Sequence, residues 1–255
     1  AGLVTSDGSG VGALRERLRV VVPGIEVGGG SRANYAELAA ADVPVGSLDA
    51  IAFSVTPQIH ATDAATVIEN LATLPVLMES ATILAAGRPL DVLGSFRPRF
   101  DAYATPVERG LAATRFDGRL AGDLGTAWLI GTLAGLLQVA TGRLTVLEAA
   151  GPAGVLPSAA LVEILEATLA TDGGRLLRVE ATGGCAAYAI VSGNRLRVIV
   201  ANLRRRATTL RITLPTGWHV HGDVTGHLRL EPLGHQVIEA EQSYRGWRSA
   251  GSSDA

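Results

Sequence analysis

The first part of the chain alternates short apolar runs with longer segments of helical spacing. Four runs are almost continuous in apolar residues, and they lie at 18–29, 48–55, 89–96 and 143–151. Apolar residues spaced as on one face of a helix occupy 31–41, 63–87 and 124–142. Pro75 predicts a kink or a break in the second of these helices. Apolar strands that alternate with helices predict a parallel sheet that is buried on both faces.

The pattern changes after a short predicted helix at 157–168. From there to about residue 241, short strand-like runs are separated by turn signals such as GG, SGN and PTG. Short strands with such turns are typical of antiparallel sheets, and SGN at 192–194 predicts a hairpin. The predicted fold class is therefore α/β plus all-β, with a small antiparallel β-sandwich over 158–241 and a disordered tail over 242–255.

Composition and charge narrow the classes of partner. The chain has a net charge of -2 and is 47% hydrophobic, which argues against a nucleic-acid partner. A single cysteine excludes an internal disulfide framework and a multi-cysteine metal site. The first residues lack the basic and apolar regions of a secretory signal, so we expect a cytoplasmic protein. The uncharged run 124–142 approaches membrane-spanning length, but its many small residues favour a helix buried on a sheet, and no membrane partner is expected.

Polar side chains follow each predicted strand of the first part. Because the carboxyl ends of parallel strands share one face, and that face carries the active site in α/β barrels, these side chains predict a ligand site. The residues are Asn34 and Glu37 after the first strand, Gln58 and His60 after the second, Arg97 and Arg99 after the third, and Glu148 after the fourth.

Each of these residues also has a purely structural interpretation. His60 could be a helix-start residue, and Glu37 could lie on a solvated helix face. Arg97 or Arg99 could form an ion pair with Asp101 or Glu148. We expect Glu148, within an apolar run, to be buried and to need an arginine from the neighbouring strand as its partner. His219 and His221 could bind a metal, but no cysteine or HExxH motif accompanies them, so no metal site is predicted.

At these same residues the sequence resembles the D-apionate lactonase-like family of bacterial sugar catabolism. The similar segments are GGGSRANYAEL, FSVTPQIHATD, SFRPRFD and AWLIGTLAGLLQVATGRLTVLEAAGPAGVL, in that order. The similarity runs from about residue 20 to about residue 157 and is weaker beyond. It implies a glycoside-hydrolase-like (β/α)8 barrel flanked by β-rich domains.

The resemblance implies that residues 1–157 form the second half of the barrel, about strands five to eight. The N-terminal half would then be the missing partner, which fits a start without methionine. The implied reaction is hydrolysis of a D-apionolactone-like sugar lactone to an aldonate, without a cofactor. The implied catalytic residues are Glu37, His60 and Glu148, and the implied substrate-binding residues are Asn34, Gln58, Arg97 and Arg99.

Two other functions remain open at this point. One is a glycoside hydrolase that uses two carboxylates, although the third strand ends in Arg97-Pro98-Arg99 where such an enzyme would usually place its nucleophile. The other is a sugar-binding barrel that has lost catalysis.

Overall fold

The computed structural model describes residues 5–97, 116–139, 142–170, 173–220 and 227–242. Its first part contains a parallel sheet in the order β1-β2-β3-β4. The strands are β1 (Gly28–Asn34), β2 (Ala50–Val55), β3 (Leu90–Gly94) and β4 (Arg143–Val146). The helices are α1 (Gly8–Val21), α2 (Tyr35–Ala39), α3 (Ala64–Glu69), α4 (Leu74–Ala85), α5 (Asp123–Leu136) and α6 (Ala159–Leu169).

The first predicted strand and the first predicted helix are both displaced. The apolar run 18–29 does not form a strand, because its first residues finish α1, which Asp7 caps by accepting a hydrogen bond from the Gly10 amide at 2.8 Å. The strand consists instead of GGGSRAN, which joins the end of the predicted strand to the start of the segment predicted as a helix. Glycine has low strand propensity, but Gly30 lies against the backbone of Ala52, and only a residue without a side chain fits there.

The other predicted elements of the first part are confirmed. Strands β2, β3 and β4 lie within the predicted runs, and α6 lies where the short helix was expected. The long helix at 63–87 is broken as predicted: α3 and α4 are joined by a 3-10 turn at Asn70–Thr73, and Pro75 occupies the first turn of α4. A proline is tolerated there because the amides of a first helical turn have no partner within the helix.

One face of the sheet is buried and the other is more open. Ile51, Phe53 and Val55 of β2 pack into the main core with residues of α3, α4 and α5, whereas Ala50 and Ala52 on the opposite face are only half-buried. Within the described residues, the expected burial of both faces is therefore met on one face of β2 only. In the described part of the chain, α3, α4 and α5 therefore contribute to the core on the buried face of this strand.

Helix α5 is the centre of the main core. Almost every residue from Leu124 to Leu136 is buried, as expected for a helix that packs at once against α4, α6 and an antiparallel sheet of the second part of the chain. By length and composition alone, one helical run in the described part of the chain, Ala64–Ala85, could cross a membrane. This run comprises α3, the 3-10 turn and α4, and it buries Val67 and Met78 in the core.

The second part forms two antiparallel sheets. One has the order β5-β6-β7-β11-β9, and the other pairs β10 with β8. The predicted hairpin is confirmed between β6 and β7, where Ser192 pairs with Arg195. A second apolar cluster, which includes Val198, Leu230 and Ile238, involves strands of both sheets. The sandwich arrangement stays a prediction. The strands are β5 (Arg175–Leu177), β6 (Cys185–Ser192), β7 (Arg195–Asn202), β8 (Thr208–Leu210), β9 (Trp218–Val220), β10 (Leu228–Leu230) and β11 (His235–Gln242).

Candidate functional site

A cavity of about 220 Å³ lies at the carboxyl ends of β2, β3 and β4. Ser54 lies near the end of β2, on the same half-buried face as Ala50 and Ala52, which we call the inner face of the sheet. Arg97 follows β3 and Glu148 follows β4, and all three residues line this cavity. Hydrogen bonds from the Leu147 amide to Gly94 (2.9 Å) and from the Val155 amide to Glu148 (2.9 Å) fix the backbone on both sides of the Glu148 side chain. Residues distant in sequence therefore meet where the parallel strands end.

Arg97 and Glu148 form an ion pair across this cavity. The distance from Arg97 Nη1 to Glu148 Oε1 is 3.9 Å, and the two side chains are 37% and 61% exposed. The predicted partnership between Glu148 and an arginine of the neighbouring strand is therefore confirmed, but the expected burial of Glu148 is wrong. Apolar neighbours in sequence suggested burial, yet Glu148 lies beyond the end of β4, where the chain turns at Leu147. An exposed, loosely paired carboxylate can still contact a ligand.

Gln58 is buried, with 3% of its surface exposed, and it has a structural partner. Its Nε2 donates to Asp117 Oδ2 at 2.7 Å. Asp117 also accepts from Arg119 Nε at 2.9 Å, and this arginine holds the pKa of the Asp117 carboxyl below its usual range. Arg119 Nη2 in turn donates to the Thr62 carbonyl at 2.6 Å. The Gln58 amide thus attaches the segment around 117–119 to the end of β2.

His60 is exposed and lines a separate, larger cavity of about 400 Å³. This cavity lies between the end of β2 and helices α3, α4 and α5, and its lining is mostly apolar. Asn34, Ser54 and Thr56 line it as well as a smaller strand-end cavity. His60 is therefore close to the strand-end site without lining the cavity that contains Arg97 and Glu148.

Glu37 has a structural contact at the start of α2. Its Oε2 accepts a hydrogen bond from the Asn34 amide at 3.1 Å, the geometry of a helix-capping residue. Glu37 lines none of the three cavities at the strand ends. Asn34 is buried and lines two of them. Arg99 lies outside the described residues, so its role stays a prediction, as does the catalytic role of Glu37.

Two further polar residues at the strand ends carry no sequence motif. Thr56 donates its hydroxyl hydrogen to the Arg97 carbonyl, which joins the ends of β2 and β3. Arg32 lines the smaller cavity together with Arg97. Arg32 was not predicted because its segment resembled a helix rather than a strand end. Within the described residues, no group of three or more His, Cys, Asp or Glu side chains is arranged to hold a metal ion.

Fold and site together define the class of protein: a TIM-barrel-like domain with polar side chains gathered at the carboxyl ends of its parallel strands. The family model described as "D-apionate lactonase, TIM barrel domain" matches residues 3–176. The chain belongs to this family. No match was found among curated proteins.

Solved structures of similar fold agree with this class. A GH30 endoxylanase from Clostridium papyrosolvens C71 superposes with a TM-score of 0.50 at 9% identity, covering 88% of this chain and 57% of that structure. A variant of BuGH86 in complex with neoagarooctaose superposes with a TM-score of 0.51 at 13% identity, covering 89% and 46%. At such identities the likeness concerns the fold alone. The chain spans about half the length of these structures.

Proposed function

We propose that this chain is part of a carbohydrate lactone hydrolase that opens a D-apionolactone-like sugar lactone to its aldonate, in the cytoplasm of a bacterium and in sugar catabolism. The family match over residues 3–176 is the observation that carries this proposal. The pairing of Arg97 and Glu148 in one strand-end cavity supports it, because lactone hydrolysis needs a base near a cationic group.

In the proposed reaction, the Glu148 carboxylate takes a proton from a water molecule as the water oxygen attacks the lactone carbonyl carbon. The guanidinium of Arg97 stabilises the negative charge that develops on the carbonyl oxygen. The tetrahedral intermediate then collapses, the bond from carbon to ring oxygen breaks, and the leaving oxygen takes the proton back from Glu148. The new carboxylic acid then releases its proton to solvent, and Arg97 faces the resulting carboxylate of the product, whose planar shape matches a guanidinium. His60 and Glu37 remain candidates for orienting the substrate or the water.

A glycoside hydrolase is the main alternative, and it would need two carboxylates on either side of the scissile bond. Among the described residues that line the strand-end cavities, Glu148 is the only carboxylate. Asp117 bonds to Gln58 and Arg119, and Glu37 caps α2. These contacts favour lactone hydrolysis over a two-carboxylate reaction.

The proposal includes a larger barrel. We infer that residues 1–157 supply about strands five to eight, that an N-terminal half supplies the other four, and that 158–241 is a separate β-domain. Two observations support this inference. The inner face of the sheet is only half-buried, and this chain covers only 46–57% of the similar solved structures. A barrel of eight parallel strands leaves no sheet edge unpaired.

The test is acid release from a panel of aldonolactones by the full natural protein, beside a panel of aryl glycosides. We expect lactone hydrolysis, and Glu148→Gln should lower kcat by roughly 100-fold or more because it removes the base but keeps the side-chain shape. Glu231→Gln is the matched control, since Glu231 forms an exposed pair with Arg229 in the β-domain. Glycoside cleavage without lactone hydrolysis would reject the proposal, and full lactone activity in Glu148→Gln would reject the role of Glu148.

A further inference from the structure

Leu147, the residue between β4 and Glu148, has a left-handed backbone conformation with a φ of 63°. A leucine rarely adopts this conformation, because its Cβ then lies too close to a backbone carbonyl oxygen. Such a residue persists only where the surrounding contacts impose its conformation. Here the Leu147 amide donates to the Gly94 carbonyl at 2.9 Å, and the Val155 amide donates to the Glu148 carbonyl at 2.9 Å. The left-handed turn is therefore held by hydrogen bonds on both of its sides.

The register of the sheet shows what this turn changes. Ser54 of the inner face pairs with Leu93, and Leu93 pairs with Thr145, so these three side chains share the inner face. Because side chains alternate between the two faces of a strand, a straight continuation of β4 would place Glu148 with Val146 on the opposite face. That face packs into the main core. Glu148 instead lines the inner-face cavity together with Ser54, Leu93 and Thr145.

The left-handed residue accounts for this change of face. It turns the chain out of the extended strand conformation, so the alternation of side chains is interrupted at Leu147, as it is at left-handed residues in β-bulges. Arg97 needs no such interruption, because it follows Leu93 by four positions and stays in phase with the inner face. The approach of Arg97 Nη1 to Glu148 Oε1, at 3.9 Å, therefore depends on the backbone of Leu147.

We propose that Leu147 is a positioning residue, whose left-handed backbone carries the Glu148 carboxylate from the helix side of the sheet to the cavity that contains Arg97. The inference rests on the proposed lactone hydrolysis for the use of this carboxylate as the base, whereas its geometric part rests on the strand register. The backbone of Leu147 makes the contribution, and its side chain is replaceable. Residues that accept the left-handed conformation should therefore substitute for it.

The experiment changes the conformational preference of residue 147 in the full natural protein. Leu147→Val should lower kcat for lactone hydrolysis by about tenfold or more, because a β-branched residue disfavours the left-handed region and a small misplacement of a catalytic group is costly. Leu147→Asn and Leu147→Gly should keep kcat within about threefold of the wild type, because both residues adopt this conformation. If these two variants lose as much kcat as Leu147→Val, the side chain is required and the inference fails.

Leu233→Val is the matched control. Leu233 has a φ of 57°, its amide donates to the Arg204 carbonyl at 3.1 Å, and its side chain packs partly buried against the main core. It lines none of the three cavities at the strand ends. The control should lower the midpoint of thermal unfolding as Leu147→Val does, but it should leave kcat unchanged at a temperature where circular dichroism shows every variant folded. An equal loss of kcat in both would assign the effect to destabilisation.

A second readout tests whether Leu147 acts through Glu148. In the Glu148→Gln background, adding Leu147→Val should lower kcat no further, because no carboxylate remains to be positioned. A purely structural role would lower kcat in both backgrounds, and a further fall as large as that in the wild type would overturn the inference. If Leu147→Val does not fold, Leu147→Asn and Leu147→Gly decide the question by the criterion given for them.

The outcomes separate this inference from the proposed function. If lactones are hydrolysed and Leu147→Val keeps the wild-type kcat, the inference fails and the hydrolase proposal stands. If no lactone is hydrolysed, the hydrolase proposal fails, and crystal structures of the wild type and of Leu147→Val decide the inference. The distance from Arg97 to Glu148 should then exceed 3.9 Å in the variant, with Glu148 turned toward the helix side. An unchanged Glu148 would overturn the inference.

Discussion

At the scale of single residues, sequence position was a better guide to location than to role. Asn34, Gln58, Arg97 and Glu148 all lie at the strand ends, as the strand pattern predicted. Their partners decide what each can do, and for Gln58, Arg97 and Glu148 those partners come from distant parts of the chain. Gln58 is held by Asp117, fifty-nine positions away, and no local pattern marks that contact.

The contact between Asp117 and Arg119 leads to a prediction about acid stability. The arginine lowers the pKa of the Asp117 carboxyl in the folded state, so its stabilising contribution is present above the ordinary pKa and is lost as pH falls through the lowered value. We expect Asp117→Asn to cost about 1–2 kcal/mol in the free energy of unfolding at pH 7, a figure that allows for the exposure of Arg119. Urea unfolding between pH 7 and pH 3 measures both effects.

The loss in Asp117→Asn should shrink as the pH is lowered, because the wild-type carboxyl then becomes protonated and its ion pair with Arg119 is lost as well. Asp42→Asn, at an exposed carboxylate, is the control. A deficit in Asp117→Asn that is the same at pH 7 and pH 3 would contradict the assigned cause.

At the scale of elements, β1 shows why local propensity was misleading. Three glycines and a following SRAN segment do not resemble a strand, and the more apolar residues before them belong partly to a helix. The strand forms because β2 pairs with Gly28, Gly29, Gly30 and Asn34, and pairing in a sheet outweighs the weak preferences of single residues. Gly30 also needs a backbone angle φ of 150°, which side-chain-bearing residues rarely adopt.

Gly30→Ala should therefore disrupt β1. The added Cβ would lie 2.1 Å from the Ala52 carbonyl oxygen, so the two strands would have to separate locally. We expect a loss of at least about 2 kcal/mol in the free energy of unfolding, since such a contact cannot be relieved by a side-chain movement. The measurement is urea unfolding followed by circular dichroism.

The matched control for Gly30→Ala is Gly12→Ala, in α1, where an added Cβ meets no atom within 4 Å. This control should stabilise the protein by about 0.5–1 kcal/mol, because alanine is the better helix former. Equal stability of the two variants would show that β1 tolerates a side chain and that its glycine is not required.

At the scale of the whole molecule, one face of the parallel sheet is only partly covered in the described fold: Ala50 and Ala52 on this inner face are half-buried. Leu93 projects from this face and is 46% exposed, while residues on the opposite face of β3, such as Val92, are buried. In a closed barrel of eight strands, inward-pointing side chains fill the interior in layers. The proposed N-terminal half would therefore cover Leu93.

The barrel proposal predicts that the effect of Leu93→Arg depends on chain length. In the 255-residue chain the variant should change stability little, because Leu93 is partly exposed there. In a longer natural protein with the complete barrel it should cost roughly 3 kcal/mol or more, since a charge would be buried without a partner. Thermal unfolding of both lengths, with and without the substitution, is the measurement.

Ile83→Arg is the control for this comparison, because Ile83 is 81% exposed on the helical side of the sheet. It should be tolerated at both lengths. If Leu93→Arg is tolerated equally in the long and short proteins, then the N-terminal segment does not close the barrel over this face.

The sequence alone determined the alternation of strands and helices after residue 48, the break at Pro75, the burial of α5 and the hairpin at 192–194, because each depends on local periodicity or on a residue with a restricted backbone. It also determined which polar residues follow the strands. Only the tertiary structure decided that GGGSRAN is a strand, that Gln58 is committed to Asp117, that Glu148 is exposed, and that Arg32 and Arg97 line one cavity. These features arise from pairing between segments far apart in the chain, and such pairing leaves no periodic signal in either segment.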